Sequence, residues 1–171
     1  TSDKLISAMA KYKDKIAPYF HLPLQSGSNS VLKKMNRTYT RERFMSIVEA
    51  LRENIPNICL STDVIVGFPG ESEEDFEDTL DILRRAEIDS VYAFLYSPRE
   101  GPPAAKMQEQ VPDEIKSERI NRLFALQDKI SYEKNLPYLE GKYRVLVDSV
   151  NERDGVKVYT GRTAANKLVH F

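Results

Sequence analysis

Residues 61–71 constrain the fold of this chain more than any other stretch, because a strand, a tight turn and a helix start follow one another within eleven residues. Residues 64–66 form a continuous β-branched apolar run, which is typical of a strand covered on both faces in a parallel sheet. Gly67 and Gly70 flank a Phe-Pro pair, where the chain must turn and a ligand can approach bare backbone. Ser72 and the acidic residues after it favour a helix N-terminus. Because ligands of α/β folds bind at this end of the strands, the stretch predicts half of a βα unit with a site at its tip.

The same alternation of strand and helix continues along most of the chain. Each predicted strand ends in a polar or Gly/Pro loop, and amphipathic helices lie between the strands. This order is the βα repeat of a parallel sheet and not that of a β-sandwich, so the predicted fold class is α/β. We expect strands at residues 19–22, 61–66 and 90–96, and helices that begin at Ser2, Thr40, Ser72 and residue 113.

The pattern changes near residue 139, where we expect a boundary between a domain of residues 1–138 and one of residues 139–171. Short β segments follow, and an Asp-Gly pair between two of them favours a hairpin. From Lys142 onward, six basic residues stand against three acidic ones, whereas the whole chain has a net charge of −1. The second domain is therefore predicted to be a small basic β module. Its β segments are residues 143–147, 156–159 and 169–171.

Composition excludes several classes of protein. Hydrophobic residues make up 41% and charged residues 30% of the chain, values typical of globular domains. No apolar run approaches the roughly 20 residues that cross a bilayer, so we expect no membrane partner. Because the chain has one cysteine and so no internal disulfide, we expect a cytoplasmic protein. Cys59 is the one cysteine, which rules out an internal disulfide and cannot alone hold zinc or an iron-sulfur cluster, so we predict no metal ligands. Three βα units are too few to close an eight-stranded barrel, and we therefore expect a fragment of a larger protein.

Several side chains suit a ligand site. Asp63 lies among apolar strand residues, where an ionised carboxylate is costly unless it is paired or serves a site, and we favour a site. Gln25 and Ser26 offer neutral donors and acceptors, which suit sugar hydroxyls or a carboxylate but are also common in loops. His21 is either a packed, hydrogen-bonded side chain or one that faces a ligand. Arg37, in a basic run, belongs either to a solvated helix face or to an anion site.

Two further segments contain features that suit phosphate binding. The turn at residues 67–70 precedes a helix, whose backbone N–H groups favour anions. A nucleotide P-loop is disfavoured, because no Gly-Lys-Ser/Thr follows and the acidic residues 73–78 would repel phosphate. Arg162 and Lys167 lie among hydroxyl and amide side chains, the types that contact nucleic-acid phosphates and sugars. On charge alone, a solvated hairpin explains this segment equally well.

Four blocks of sequence stand in a defined order along the chain. They are His-Leu-Pro-Leu-Gln-Ser-Gly-Ser at residues 21–28, Met-Asn-Arg-Thr-Tyr-Thr at 35–40, Thr-Asp-Val-Ile-Val-Gly-Phe-Pro-Gly-Glu at 62–71, and Tyr-Ser-Pro-Arg-Glu-Gly at 96–101. Together these blocks resemble the radical-SAM methylthiotransferases, and most closely the tRNA-modifying members. The basic residues 161–169 are similar to the first part of a TRAM domain, a small RNA-binding β-barrel, which favours tRNA as the substrate.

The resemblance implies a fold and a reaction. The chain would hold the last three βα units of a partial (βα)6 radical-SAM barrel, followed by part of a small all-β TRAM barrel. The parent enzyme would use S-adenosylmethionine and two [4Fe-4S] clusters, whose cysteine ligands are absent from this chain. A 5′-deoxyadenosyl radical would abstract the hydrogen at C2 of N6-isopentenyladenosine beside the anticodon, and a methylthio group would be inserted. An external electron donor and a sulfur source would also be needed, and this chain alone would be inactive.

The resemblance also implies roles for single residues. S-adenosylmethionine would lie across the strand ends, with its ribose or methionine part near Gln25 and Ser26 and its adenine near Val66 and Gly67. Asp63 would be the catalytic residue and would face the substrate base. The candidates for tRNA contact are Arg37, Arg99, Arg162 and Lys167.

Two alternatives stay open from the sequence. The parent enzyme could instead act on threonylcarbamoyl-adenosine or on a ribosomal protein, which assays against each substrate would separate. The chain could also be an RNA-binding module without chemistry. A CxxxCxxC motif upstream of Thr1 would favour the enzyme, and its absence would favour the module.

Overall fold

The computed structural model describes residues 1–98, 107–153 and 155–171. These residues form two compact units. The first unit comprises Thr1–Phe20, Glu49–Cys59 and Asn135–Phe171, and the second comprises His21–Val48 and Leu60–Lys134. Residues of one unit lie close together in space, which does not show that the unit folds independently. The domain boundary predicted at residue 139 therefore stays a prediction.

Up to residue 95, one or two helices lie between successive strands, close to the alternation that the sequence predicts, and an antiparallel sheet follows the last helix. The short helix α2 was not predicted, because its polar start resembles a turn. In chain order, the elements are α1 (Asp3–Lys11), β1 (Tyr19–His21), α2 (Asn29–Lys34), α3 (Arg41–Asn54), β2 (Cys59–Val66), α4 (Glu73–Ala86), β3 (Ser90–Leu95), α5 (Asp113–Asn135), a 3-10 turn (Leu136–Tyr138), β4 (Val145–Arg153), β5 (Val156–Thr163) and β6 (Leu168–His170).

The first sheet has the strand order β1-β2-β3, and β2 and β3 run parallel. Side chains of β2 alternate between two environments, because successive residues of a strand point to opposite faces. Thr62, Val64 and Val66 are at most 1% exposed, whereas Asp63 and Ile65 are partly exposed. One face of the sheet is therefore packed, and the opposite face is accessible. The core of the second unit also includes Leu24, Leu32, Phe44, Phe76, Leu83, Ile88 and Leu123.

Helix α4 begins with a capping box, which explains why the chain turns into a helix at this point. The Ser72 hydroxyl accepts a hydrogen bond from the Asp75 N–H at 3.1 Å, and the Asp75 carboxylate accepts one from the Ser72 N–H at 3.0 Å. Ser28 and Ser30 also donate to Asp75. Although partial burial raises it, these hydrogen bonds hold the pKa of Asp75 below its usual 3.8. The loop after β1 is thereby attached to the start of α4.

Gly27 lies directly against α4. Its N–H donates to the Thr79 hydroxyl at 2.9 Å. A Cβ atom at this position would lie 2.4 Å from the Thr79 Cα atom, closer than atoms can pack. A glycine is therefore required for the loop to lie against the helix.

The second sheet is antiparallel, with the strand order β4-β5-β6. Its register shifts between Val147 and Ser149, which marks a β-bulge in β4. Gly155 follows β4 with a φ of +76°, a conformation that glycine adopts without strain. The third predicted strand is present as β6, paired with β5. Within the described ranges, no helix combines the length and the apolar character that crossing a bilayer would require.

Candidate functional site

A cavity of about 470 Å³ lies at the carboxyl ends of the parallel strands. Asp63 and Ile65 contribute from the accessible face of β2, and Phe94 contributes from the neighbouring position of β3. Its wall thus combines a carboxylate and an amide with apolar and aromatic surface. Among the residues that the structure describes, the lining consists of Gln25, Asp63, Ile65, Phe94, Leu95, Tyr96 and Ser97.

Asp63, the predicted catalytic residue, has a hydrogen-bond partner and is also accessible to solvent. Its side chain is 32% exposed and lies beside His21, whose Nε2 is 3.2 Å from the Asp63 Oδ2. The other ring nitrogen of His21, Nδ1, is 2.8 Å from the hydroxyl of Ser61. The ring of His21 is therefore hydrogen-bonded and 36% exposed, and the ligand-facing interpretation stays a prediction.

Gln25 joins the site through its backbone and its side chain. Its N–H donates to the Asp63 carbonyl at 2.8 Å, and its carbonyl accepts from the Ile65 N–H at 2.9 Å. These two bonds fix the residue beside β2 in a left-handed conformation with a φ of +67°. Its side-chain carbonyl accepts a hydrogen bond from the exposed Arg37 guanidinium at 3.3 Å. The fold therefore brings Gln25, Arg37 and Asp63 together.

Three other predicted residues lie near the strand ends but do not line the cavity. Ser26 is 1% exposed, and its hydroxyl accepts from the Ser28 N–H at 3.2 Å. The buried Val66 accepts a hydrogen bond from the Tyr96 N–H through its carbonyl at 2.8 Å. The Gly67 N–H donates to the Glu71 carboxylate at 3.0 Å. The contacts with a cofactor predicted for Ser26, Val66 and Gly67 stay predictions.

The turn after β2 rests on a buried ion pair that the sequence does not reveal. Glu71 and Arg119 lie 2.9 Å apart, and their side chains are only 2% and 5% exposed. Burial raises the pKa of the Glu71 carboxyl above its usual 4.5, although the Gly67 N–H and the Arg119 guanidinium act in the opposite direction. Arg119 is 48 residues away on α5, so only the fold identifies it as the partner.

The same turn packs against the cavity wall. Phe68 contacts Tyr96 edge to face, with 5.3 Å between the ring centroids. Gly67 and Gly70 both have positive φ angles, +76° and +73°, which explains why glycines bracket the turn. The conformation of the turn therefore supports one aromatic residue that lines the cavity.

Two further candidates for nucleic-acid contact, Arg162 and Lys167, are not among the described residues that line this cavity. Arg162 is half-exposed, and its guanidinium lies 3.3 Å from the side-chain oxygen of Asn166 and 3.7 Å from the carboxylate of Asp148. The Lys167 ammonium lies over the ring of Tyr138, 5.7 Å from the centroid. Both residues belong to the first unit. Arg99 lies outside the described residues.

This chain is similar to known families and folds. The model of the radical SAM superfamily matches residues 1–83. A solved structure of coproporphyrinogen III oxidase from Escherichia coli, titled a radical SAM enzyme, superposes with a TM-score of 0.61 over 73% of this chain and 30% of that one. The sequence identity is 16%, so this likeness concerns the fold alone. It agrees with the mixed α/β fold predicted from the sequence.

Curated relatives match nearly the whole chain, and each carries the name tRNA-2-methylthio-N(6)-dimethylallyladenosine synthase. The relatives from Alkaliphilus oremlandii, Acetivibrio thermocellus and Bdellovibrio bacteriovorus are 55%, 52% and 45% identical over 170 residues. Each alignment covers 99% of this chain. The chain is therefore similar in sequence to these synthases over nearly all of its length. It spans 36%, 35% and 37% of the lengths of these three relatives.

Similarity to the radical-SAM methylthiotransferases implies S-adenosylmethionine as a cofactor, and the cavity suits the nucleoside part of this molecule. Ile65, Phe94 and Leu95 offer an apolar surface to a purine ring. The Asp63 carboxylate and the Gln25 amide add polar groups that can bind hydroxyls and ring nitrogens. The residues present therefore fit one wall of a site for this cofactor.

The same family implies iron-sulfur clusters, which the residues of this chain do not fit. A [4Fe-4S] cluster is usually held by several cysteine thiolates, and the sequence contains one cysteine. Cys59 is 5% exposed, and its sulfur is 3.7 Å from the hydroxyl of Tyr138. It is better explained as a small buried side chain. The residues of this chain therefore do not supply the ligands of such a cluster.

Proposed function

We propose that this chain is part of a transferase that adds a methylthio group to C2 of N6-isopentenyladenosine beside the anticodon of tRNA. The observation that carries the proposal is the identity of 45–55% over 99% of the chain to synthases named for this product. Since the chain spans about a third of these relatives, the activity is proposed for a longer protein that contains it. That protein would work in the cytoplasm with an external electron donor and a sulfur source.

The proposed function implies a specific fold for each part of the chain. We propose that β1, β2 and β3 with their helices are the last three βα units of a partial (βα)6 barrel. The parallel pairing of β2 with β3 and the likeness to another radical SAM enzyme support this description. We propose that β4, β5 and β6 begin a TRAM barrel, because a basic antiparallel sheet follows α5. The proposed boundary between the two domains is residue 139.

Residues in and near the cavity have proposed roles in binding and catalysis. S-adenosylmethionine, when bound, would supply the radical chemistry from which the radical SAM superfamily takes its name. Gln25 would bind its ribose or methionine part, with Ser26 shaping the loop, and the turn at Val66 and Gly67 would lie near its adenine. Asp63 would accept a hydrogen bond or a proton from the substrate base. Both Gln25 and Asp63 line the cavity, which supports these two assignments most directly. The two [4Fe-4S] clusters would be held by parts of the protein outside this chain.

The proposed substrate requires contacts with nucleic acid. We propose that Arg37, beside Gln25, contacts an anionic group of the tRNA at the cavity. Arg162 and Lys167 would bind phosphates from the basic C-terminal sheet, and Arg99 is proposed on the basis of sequence alone. Phosphate contacts of this kind contribute affinity and orientation but not sequence specificity.

The proposal is tested with the gene product that contains this chain, loaded with its clusters. Methylthio transfer is measured on tRNA bearing isopentenyladenosine, on tRNA bearing threonylcarbamoyl-adenosine and on ribosomal protein. We expect product from the first substrate only. Product from one of the others would assign the enzyme to that branch, and tRNA binding without any product would favour an RNA-binding module.

Substitution of the predicted catalytic residue gives a sharper test. Asp63→Ala is expected to lower turnover on isopentenylated tRNA by about 100-fold or more, the range for loss of a proton-transfer group. The matched control is Asp128→Ala, which removes an exposed carboxylate from α5 and is expected to leave turnover unchanged. Normal turnover of the Asp63→Ala enzyme would contradict the role assigned to this residue.

A further inference from the structure

His21 lies against Asp63 on the accessible face of the sheet, although only Asp63 lines the cavity. The two residues are 42 positions apart, and the adjacent strands β1 and β2 bring them together. The Asp63 carboxylate can accept about four hydrogen bonds through its two oxygens. The contact with His21 therefore leaves it able to accept further bonds from a ligand in the cavity.

Both nitrogens of the His21 ring have partners on β2. Nδ1 is 2.8 Å from the Ser61 hydroxyl, and Nε2 is 3.2 Å from the Asp63 carboxylate. A carboxylate only accepts hydrogen bonds, so Nε2 must carry the proton. In the neutral ring, Nδ1 then accepts the proton of the Ser61 hydroxyl. Ser61 is 0% exposed, so this anchor for the ring is held firmly in the sheet.

The ring is also held from the opposite side of β2. Tyr92 is the register partner of Asp63 on β3. Its ring contacts that of His21, with centroids 6.1 Å apart and an angle of 54° between the planes. Side chains from β1 and β3 thus meet across the strand that carries Asp63. A hydrogen bond at each ring nitrogen and an aromatic neighbour leave the imidazole little freedom to rotate.

We propose that His21 is a positioning residue that orients the Asp63 carboxylate toward the ligand in the cavity. Its Nε2–H holds one carboxylate oxygen, and the Ser61 hydroxyl fixes the tautomer that makes this bond possible. A partner of this kind orients a functional group without touching the ligand itself. The identity of that ligand, an adenosine of tRNA or of S-adenosylmethionine, rests on the proposed function.

The first test is spectroscopic and requires no activity. In the 171-residue chain, NMR is expected to detect the His21 Nε2–H proton, protected from exchange by its bond to Asp63. The signal is expected to broaden through exchange with water in Asp63→Ala and to weaken in Ser61→Ala. A proton on Nδ1 instead, or a signal unaffected by both variants, would overturn the proposal.

The second test is kinetic and uses the cluster-loaded gene product. His21→Leu is expected to lower kcat by about 10- to 100-fold, the usual effect of losing such a supporting partner, with KM for S-adenosylmethionine changed less than about threefold. His21→Gln places an amide donor near the position of Nε2 and is expected to restore most of the rate. His21→Asn is too short to reach Asp63 and is expected not to restore it.

Controls distinguish a failure of the proposed function from a failure of the positioning role of His21. His170→Leu removes the other histidine, which bonds Thr160 on the second sheet, and is expected to leave kcat unchanged. If the wild-type protein modifies no tRNA, the proposed function fails, while the NMR result still decides the geometry. If the wild-type enzyme is active and the kcat of His21→Leu equals that of the wild type, the positioning role is wrong. The role is also wrong if His21→Gln and His21→Asn have the same kcat. The last comparison holds even if His21→Leu does not fold.

Discussion

Glu71 and Arg119 illustrate how a single residue pair can stabilise a site without lining it. Glu71 accepts the Gly67 N–H, and Arg119 donates to both the carboxylate and the backbone carbonyl of Glu71. The Arg119 guanidinium also lies over the Phe76 ring, 5.6 Å from its centroid. A buried ion pair of this kind contributes modest net stability, but removal of one partner leaves a buried charge without compensation.

We therefore expect Arg119→Ala to lower the free energy of unfolding by about 3–5 kcal/mol. The measurement is urea unfolding of the 171-residue chain, followed by circular dichroism. Arg122→Ala is the matched control, because Arg122 also pairs with glutamates of α4 but its side chain is 34% exposed. We expect it to cost less than about 1 kcal/mol. Equal losses in the two variants would mean that burial of the Glu71–Arg119 pair does not determine its importance.

The start of α4 shows how an element is fixed both by its own residues and by a neighbouring loop. Ser72 and Asp75 satisfy backbone N–H groups that the first turn of a helix leaves without partners. Asp75 also accepts bonds from Ser28 and Ser30, which follow the loop that carries Gln25. The helix start and the loop beside the cavity are therefore stabilised by the same carboxylate.

Loss of the helix cap is expected to weaken this element. Ser72→Ala removes the hydroxyl that accepts the Asp75 N–H and should cost about 0.5–2 kcal/mol of unfolding free energy. Ser46→Ala is the matched control, because Ser46 lies inside α3, where alanine is the better helix former. It should be neutral or slightly stabilising in the same urea titration. If the two serines gave the same change, the capping box would not be a source of stability for α4.

Charge is distributed unevenly along the whole molecule. Residues 142–171 carry six basic and three acidic side chains, whereas the complete chain has a net charge of −1. This surplus lies within the first unit, on and around β4, β5 and β6. A local surplus of basic side chains suits contact with a polyanion, in line with the proposed contacts between this segment and tRNA.

Arg162→Ala is expected to weaken tRNA binding and to reduce the slope of log K against log salt by about 1, because one phosphate contact is lost. The affinity is measured by fluorescence anisotropy over a series of salt concentrations. Arg85→Ala removes an exposed arginine from α4 and serves as the control with the same change in net charge. A slope for Arg162→Ala equal to that of the control would contradict a phosphate contact at this residue.

Much of the fold follows from local patterns. The apolar run at residues 64–66 and the acidic residues after Ser72 predicted the strand β2 and the helix α4, because strand propensity and helix capping depend on residues close in sequence. The expectation that the strand is covered on both faces was wrong, since Asp63 and Ile65 are partly exposed. Helix α2 was missed, although Ser28 caps it by accepting the Ser30 N–H. Its serines and asparagine are equally common in turns, and only packing of Val31 and Leu32 in the core distinguishes the two.

By itself, the sequence determined the alternation of strands and helices, the change to a β module and the resemblance to radical-SAM methylthiotransferases. It also identified Asp63 and Gln25 as candidates, since polar residues at strand ends can be recognised without coordinates. Only the tertiary structure decided that His21 bonds Asp63 across 42 positions and that Arg119 pairs with Glu71 across 48. The physical reason is that hydrophobic period and capping are local, whereas these contacts depend on strand order and on the packing of α5 against the turn after β2.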